Sequence, residues 1–261
     1  MNNVIGQVIE TEQGLFCVDP TDRFVTGTLI QQGVYGLDEL QRILSFVGEK
    51  SSVLMLGVHF GSILIPLSKR VRHITAFEAN PNTYRLLEIN LLLNGCRNVT
   101  AYNLAANDSN GSIEFLLNTV NSGGSKRYPL ARDDDFFYDN PEVRRVPAVA
   151  LDQFLVDREY DLIFMDIEGS EPFAMRGMKR IASSSRVIFT EFIPKHLKKV
   201  AGVNIQDFVE LFSDFQTLTI PSKRAIFYSG EFLPVLAEMY EKDEADAGII
   251  FIRDRIALRY T

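Results

Sequence analysis

Cysteine and histidine are scarce in this chain of 261 residues, which has two cysteines and three histidines. Cys17 and Cys96 are too few and too far apart for a disulfide framework or a thiolate metal site, and the histidines show no metal-ligand spacing. We expect both cysteines to be small buried apolar side chains. The sequence therefore predicts no metal site, although Asp166 with Glu168 or Glu191 is an alternative pair of oxygen ligands that lacks a third member.

Long apolar runs are also lacking. No stretch approaches the roughly 18 consecutive apolar residues that span a bilayer, and the first three residues lack the features of an export signal. We therefore expect a soluble, cytoplasmic protein that does not associate with membranes. Positive charge is in deficit too, because 27 lysines and arginines stand against 34 aspartates and glutamates. The net charge of −7 argues against nucleic acid as a partner.

An alternation of β-rich and helical segments begins at Ser51 and predicts a parallel sheet covered by helices on both faces. The predicted strands lie near 52–56, 73–78, 98–103, 161–166 and 186–191, with a later pair near 215–220 and 247–253. Residues 1–48 are predicted to form a preface of a β-hairpin and a helix over Leu37–Val47, and residues 49–261 the main domain.

The first two crossover helices are marked by proline and glycine. In the second, Asn80 is a candidate N-cap, Pro81 suits the first helical position, and Gly95 follows the last turn. In the first, which follows Gly61, Pro66 has no N–H and predicts a late start or a kink.

A glycine-containing loop follows the first predicted strand. Gly57 and Gly61 lie in VLMLGVHFG, where a missing side chain lets the backbone approach a ligand. Glu78 ends the next strand, and a carboxylate at this position accepts hydrogen bonds from both ribose hydroxyls. His59 and Ser62 occupy the places where a dinucleotide fingerprint needs glycine. The loop and the acid together favour a nucleoside-bearing cofactor and weaken the nicotinamide alternative.

The segment LAAND follows the third predicted strand. Ala105 is a candidate to present its backbone to a base edge, and Asp108 is a candidate to accept from an exocyclic amine. A plain turn begun by Asn107 and Asp108 is the alternative.

Acidic residues lie at or just beyond the ends of two later strands. Asp166 ends an apolar strand, and Asp166 and Glu168 are expected to point into the crevice where open α/β sheets bind ligands. Glu191 ends the next strand. Glu171 is better explained as a helix N-terminal acid that the helix dipole favours. His196 lies in the basic segment PKHLKK and is expected to be solvated.

These motifs, in this order, resemble one known family. The segments VLMLGVHFGS, ITAFEANPNTYRLLEINLLLNG, NVTAYNLAANDSNGSIEF, VALDQFL and YDLIFMDIEGSEPFAMRGM are similar to the FkbM family of S-adenosylmethionine-dependent methyltransferases. The resemblance runs from about Gly33 to Phe192. It implies a class I methyltransferase (Rossmann-like) fold with a mostly parallel seven-stranded sheet, and S-adenosylmethionine as the cofactor.

The resemblance also implies roles for individual residues. It makes Gly57 and Gly61 the cofactor loop, Glu78 the ribose acceptor, Asp108 the adenine-side group, and Asp166 and Glu168 the acids that face the methyl-transfer site. Met55 departs from the family, whose members usually carry an acid there that orients the cofactor's ammonium group. His59 replaces an asparagine, and Asp166 or His59 is expected to take over part of that role in cofactor binding.

The segment 118–146 is a long polar insert, and loops of this length are usually functional or disordered. Its NSGGS stretch resembles one that the family often carries, which implies that Asn121, Ser125 and Tyr128 contact the acceptor. We expect a mobile lid whose aromatic residues close over a bound molecule. A disordered acidic loop around residues 133–135 is the alternative.

The sequence thus predicts O-methylation of a hydroxyl on a small molecule, sugar or natural product, with Asp166, Glu168, Glu191 or His59 as the base. N-methylation of an amide or amine, for example in a peptide, is a second prediction. A cofactor-binding module without catalysis is a third, motivated by Met55. The sequence leaves open whether the chain forms a homo-oligomer.

Overall fold

The computed structural model describes residues 4–255. The strands are β1 (Gln7–Thr11), β2 (Gly14–Val18), β3 (Ser52–Leu56), β4 (His73–Phe77), β5 (Val99–Tyr102), β6 (Ala105–Asn107), β7 (Gly111–Leu117), β8 (Lys126–Arg127), β9 (Glu142–Ala150), β10 (Leu162–Met165), β11 (Val187–Phe192), β12 (Thr217–Ile220), β13 (Ala225–Tyr228) and β14 (Asp246–Ile252). The α-helices are α1 (Val25–Gln32), α2 (Leu37–Leu44), α3 (Leu64–Ser68), α4 (Pro81–Leu93), α5 (Leu151–Phe154), α6 (Glu171–Gly177), α7 (Lys179–Ser184), α8 (Pro194–His196), α9 (Ile205–Glu210) and α10 (Phe232–Lys242).

The main sheet has the strand order β13-β12-β14-β11-β10-β3-β4-β5. Strands β5, β4, β3, β10 and β11 pair in parallel, whereas β14 runs antiparallel to both of its neighbours. All seven strand positions predicted from the sequence are confirmed. The predicted count of seven is wrong, because within the described residues β13 turns back after β12 and adds an eighth, antiparallel edge strand.

Both faces of the main sheet are buried under apolar side chains. In β3, Leu54 and Leu56 pack on one face, and Val53 and Met55 pack on the other, as the two-residue repeat of a strand requires. This arrangement is typical of parallel strands covered by helices on both sides. Within residues 4–255, no helix combines the length and the hydropathy needed to cross a bilayer.

Helices α3 and α4 confirm the predictions made from their proline, asparagine and glycine residues. Helix α3 begins only at Leu64, so Pro66 lies in its first turn, where its missing N–H costs no hydrogen bond. Before α4, the Asn80 side chain accepts a hydrogen bond from the Asn82 N–H at 3.0 Å. Gly95, just after that helix, takes a left-handed conformation with φ 63°.

A second sheet, with the order β6-β9-β7-β8, was not predicted from the sequence. The long strands β7 and β9 pair antiparallel over seven residues each, and the insert supplies β8 and the first residues of β9. Within the insert, Phe136 is buried. The insert therefore has regular structure, and the alternative of a disordered acidic loop is wrong.

The N-terminal preface packs onto the main sheet through α4. The β1-β2 hairpin is antiparallel, as predicted, and Phe16 and Val18 join the same core as Val53 of β3. Asn90 of α4 is fully buried; its side chain donates to the carbonyls of Cys17 and Phe60 and accepts from the Cys17 N–H. One amide thus joins the hairpin, the helix and the glycine loop.

We predict that Asn90→Ala lowers the free energy of unfolding by about 2 to 4 kcal/mol, because it leaves a buried N–H and two buried carbonyls without partners. Urea unfolding followed by circular dichroism measures this change. Leu92→Ala, on the exposed face of the same helix, is the control and should change stability by less than about 0.5 kcal/mol. Equal stability of the two variants would contradict the role given to Asn90.

Candidate active site

A cavity of about 340 Å³ opens at the carboxyl ends of β3, β4, β10 and β11. Ligands bind at this edge in open α/β sheets. The predicted site residues that line it are Gly57, His59, Glu78, Ala105, Asn121, Ser125, Asp166, Glu168 and Glu191. The structure therefore brings together residues that the sequence places in six separate segments.

Gly57 lies where β3 and β10 come closest. Its φ of 75° is left-handed, and a Cβ atom at this position would lie 1.7 Å from the backbone oxygen of Asp166. No other residue fits without moving one strand. Gly61 also has a positive φ, but it lies against Leu87 and does not line the cavity. Glycine at this position therefore serves the turn into α3 and not contact with a ligand.

Glu78 holds the glycine loop through two backbone hydrogen bonds. One carboxylate oxygen accepts from the His59 N–H at 2.7 Å, and the other accepts from the Asn80 N–H at 2.8 Å. Burial raises the pKa of Glu78, and the hydrogen bonds from these two N–H groups oppose the rise. Glu78 also lines the cavity, and its two carboxylate oxygens are acceptors that suit a ligand's hydroxyl groups. The geometry thus fits the predicted role of Glu78 as ribose acceptor.

His59 belongs to a hydrogen-bonded chain that joins three segments. Its Nε2 lies 2.7 Å from the Ser122 hydroxyl of the insert, and that hydroxyl donates to the Asp22 carboxylate of the preface. Because the serine proton points to Asp22, Nε2 of His59 carries the proton of the imidazole. Burial lowers the pKa of His59 to about 4, so the ring is neutral.

This hydrogen-bonded chain leaves Nδ1 as the ring nitrogen of His59 with a free lone pair, and that atom is buried away from solvent. Nε2 is a donor to Ser122, and Nδ1 is buried with no hydrogen-bond partner. The predicted role of His59 as a base is therefore not supported. His59 lines the cavity, and its side chain joins the glycine loop to the insert through Ser122.

Asp166 and Glu191 follow or end neighbouring strands of the main sheet, and both line the cavity. Burial raises the pKa of Asp166 well above its usual range, and the charge of Glu168 raises it further. Burial followed by the charge of Glu168 raises the pKa of Glu191 in the same way. Glu39 of α2, which the sequence did not single out, adds another buried carboxyl to the lining. No lysine or arginine among residues 4–255 lines the cavity.

Glu168 is paired with a cation. Its carboxylate accepts from the buried Lys126 ammonium at 2.6 Å, and its own backbone has a positive φ of 56°. Because Lys126 already occupies one oxygen of the Glu168 carboxylate, Asp166 and Glu191 are the better-placed candidate bases. The expectation that His196 is solvated is wrong: α8 packs against the insert, and His196 is 9% exposed.

Two predicted contact residues lie outside the cavity. Asp108 follows β6, is exposed, accepts from the Ser109 hydroxyl and does not line the cavity, so its adenine-side role stays a prediction that this geometry does not support. Tyr128 is 41% exposed and packs edge-on against Phe137, because the pairing of β8 with β7 turns it away from the cavity.

Several residues of the site gave no signal in the sequence. They are Asp22, Tyr35, Glu39, Ser122 and Lys126, which come from the preface and the insert. Tyr35 lines the cavity, and burial, followed by the charge of Asp166, raises its pKa. Contacts across such distances in the chain have no local pattern by which the sequence would reveal them.

Comparison with protein families identifies the family to which the chain belongs. The family model of the methyltransferase FkbM domain matches residues 57–218, which is more than half of the chain. The chain belongs to the FkbM methyltransferase family. It is an S-adenosylmethionine-dependent methyltransferase with an α/β fold of the class I type. No curated protein matches it significantly.

Solved structures resemble this FkbM-family chain only distantly. Methyltransferase FkbM from Methylobacillus flagellatus KT is 14% identical, with a TM-score of 0.47, over 90% of this chain and 62% of that one. Trm5b from Pyrococcus abyssi is 15% identical, with a TM-score of 0.40, over 80% of this chain and 47% of that one. TYW2 from M. jannaschii in complex with AdoMet is 12% identical, with a TM-score of 0.41, over 97% and 87%. Because these TM-scores lie below 0.5, family membership rests on the domain match.

We predict that Glu171 makes stability depend on pH. Burial raises the pKa of Glu171 to about 7, although its carboxylate accepts from the Ile167 N–H. The folded state therefore keeps a proton that the unfolded state loses, and stability falls as the pH rises from the usual value of 4.5 through about 7.

Between about pH 4.5 and pH 8, the wild type should lose on the order of 2 kcal/mol more than Glu171→Gln, as measured by urea unfolding. Glu88→Gln, on the exposed face of α4, is the matched control and should follow the wild type. Parallel stability profiles for the wild type and Glu171→Gln would contradict this prediction.

Proposed function

We propose that this chain transfers a methyl group from S-adenosylmethionine to a hydroxyl group on a small molecule, sugar or natural product. The observation that carries the proposal is that two partly buried carboxyl groups, Asp166 and Glu191, line the same cavity as the residues that would hold the cofactor. Burial raises the pKa of both, so each carboxylate, when ionised, is a stronger base than an ordinary one. Cytoplasmic location and a role in natural-product biosynthesis are further parts of this proposal.

The cavity walls fit the cofactor. Gly57 lines the cavity, so its backbone would contact the cofactor's amino-acid part. Glu78 would hold the ribose, and the wall formed by Leu104 and Ala105 would contact the base. Met55 is buried in the lining, so Asp166 is the acid on the neighbouring strand end that would receive the cofactor's ammonium group.

Methyl transfer then needs alignment and a base. When bound, S-adenosylmethionine supplies a methyl group on a positively charged sulfur. Its transfer to the acceptor oxygen would leave the carbon–sulfur electron pair on sulfur, and Asp166 or Glu191 would take the proton that the hydroxyl releases. Alignment in the cavity would lower the barrier by roughly 7 to 11 kcal/mol, and the base would add about 10² to 10⁴ in rate.

The surplus of carboxyl groups in the cavity favours a second candidate, N-methylation of an amine. A protonated amine is attracted to an acidic cavity without a lysine or arginine in its lining. The same carboxylates would remove its proton before transfer. An amide nitrogen, for example in a peptide, has no positive charge and gains nothing from this attraction.

Trideuteromethyl-labelled S-adenosylmethionine and matched acceptors distinguish these functions. Polyols, amino sugars, amines and short peptides are incubated with the enzyme, and fragment masses locate the label. Label on oxygen supports the proposal, label on nitrogen supports the second candidate, and cofactor binding without labelling of any acceptor would contradict both.

We predict that Glu78→Ala weakens binding of S-adenosylhomocysteine by about 10-fold or more, because the ribose loses its carboxylate and the backbone N–H groups of His59 and Asn80 lose their partner. Isothermal titration calorimetry measures the affinity, and circular dichroism checks the fold. Glu88→Gln serves as the surface control. An unchanged affinity in Glu78→Ala would remove the ribose assignment.

Removal of the base should lower turnover. Asp166→Asn and Glu191→Gln keep the size of each side chain, and the variant that removes the base should lower kcat by about 10² to 10⁴. Glu191→Gln should bind S-adenosylhomocysteine within about 10-fold of the wild type, whereas Asp166→Asn should also weaken binding, because Asp166 would receive the cofactor's ammonium group. Full turnover in both variants would show that neither carboxylate takes the proton.

A further inference from the structure

A buried lysine lies where three atoms that can bind a metal converge. One side-chain atom each of Glu168, Glu191 and His196 lies within 4.8 Å of the other two. Lys126 places its Nζ 2.6 Å from Glu168 Oε2 and 3.2 Å from His196 Nε2. A positively charged nitrogen therefore already contacts two of the three residues whose side chains a divalent cation would use.

Lys126 determines which nitrogen of His196 carries the proton. An ammonium group only donates hydrogen bonds, so Nε2 of His196 must accept, and its proton is on Nδ1. That Nδ1 is buried, has no hydrogen-bond partner and lies 3.7 Å from Glu191 Oε2. A buried N–H without a partner is rare, and this one faces a carboxylate that lines the cavity.

The lysine is held in place by the insert. Lys126 belongs to β8, its side chain is 7% exposed, and its Nζ lies 5.0 Å from the centre of the Phe136 ring. Its removal would leave the partly buried Glu168 without a counter-charge, which is costly. The ammonium is thus fixed by packing, by an ion pair and by a ring.

We propose that Lys126 is an internal cation that fills the cation-binding position formed by Glu168, Glu191 and His196, and that it fixes the His196 tautomer whose Nδ1–H faces Glu191. Lys126 and His196 are positioning residues for Glu191. The positioning of Glu191 is the part of this proposal that rests on the proposed function. The tautomer and the cation position are properties of the folded chain.

The tautomer is tested by two-bond ¹H–¹⁵N NMR spectra of the three histidines, assigned with His196→Gln and His59→Gln. The wild type should show Nδ1–H for His196. Lys126→Met keeps the length of the side chain without the charge, and His196 should then move its proton to Nε2, which faces Glu168 at 3.5 Å. Lys195→Met, which removes a lysine 5.4 Å from the same Phe136 ring, is the control and should leave the tautomer unchanged.

The cation position is tested with Co²⁺, which absorbs visible light when it binds histidine and carboxylates. Lys126→Ala should bind one Co²⁺ at least about 10-fold more tightly than the wild type or Lys126→Ala/His196→Ala. Binding of S-adenosylhomocysteine checks the fold of each variant and separately tests the cofactor site. An Nε2–H tautomer in the wild type would overturn the proposal even if the variants fail to fold. Equal Co²⁺ affinity of the wild type and folded Lys126→Ala would overturn it as well.

Discussion

The close approach of β3 and β10 at Gly57 is the constraint on which the site depends. The space for a Cβ atom at Gly57 is taken by the Asp166 backbone oxygen, 1.7 Å away, so the chain must turn there in a left-handed conformation. After this turn the loop continues toward Glu78, whose carboxylate accepts hydrogen bonds from the N–H groups of His59 and Asn80. The same contact brings the end of β10 to the cavity, so that Asp166 follows it into the lining. This one backbone contact thus positions both the glycine loop and Asp166.

The second feature of this structure is its buried charged groups, some of which have partners in the preface and the insert. Lys126 from the insert neutralises Glu168, and Asp22 from the preface receives the hydrogen bonds of Ser122. Carboxyls without such partners, Asp166 and Glu191, have raised pKa values instead. The main sheet therefore supplies the acids with raised pKa values, and the added segments determine which acids are neutralised.

Sequence reasoning recovered the parts of the molecule that depend on neighbours along the chain. The strand positions, the capping of α4 by Asn80 and the late start of α3 follow from patterns a few residues long. The second sheet and the polar contacts of the site do not, because they join distant segments; Asp22 and Ser122, for example, are 100 positions apart. Asp108 was assigned to the cavity from its place in a motif, yet the chain leaves β6 with that side chain exposed. A local motif places a strand end correctly but does not determine the direction of the next side chain.

The most direct test of this account is a crystal structure of the wild type with S-adenosylhomocysteine. The account predicts the ribose hydroxyls within hydrogen-bond distance of Glu78, the amino-acid part against the backbone at Gly57, and the sulfur facing the end where Asp166 and Glu191 lie. A product molecule bound elsewhere on the chain, or a ribose turned away from Glu78, would contradict it.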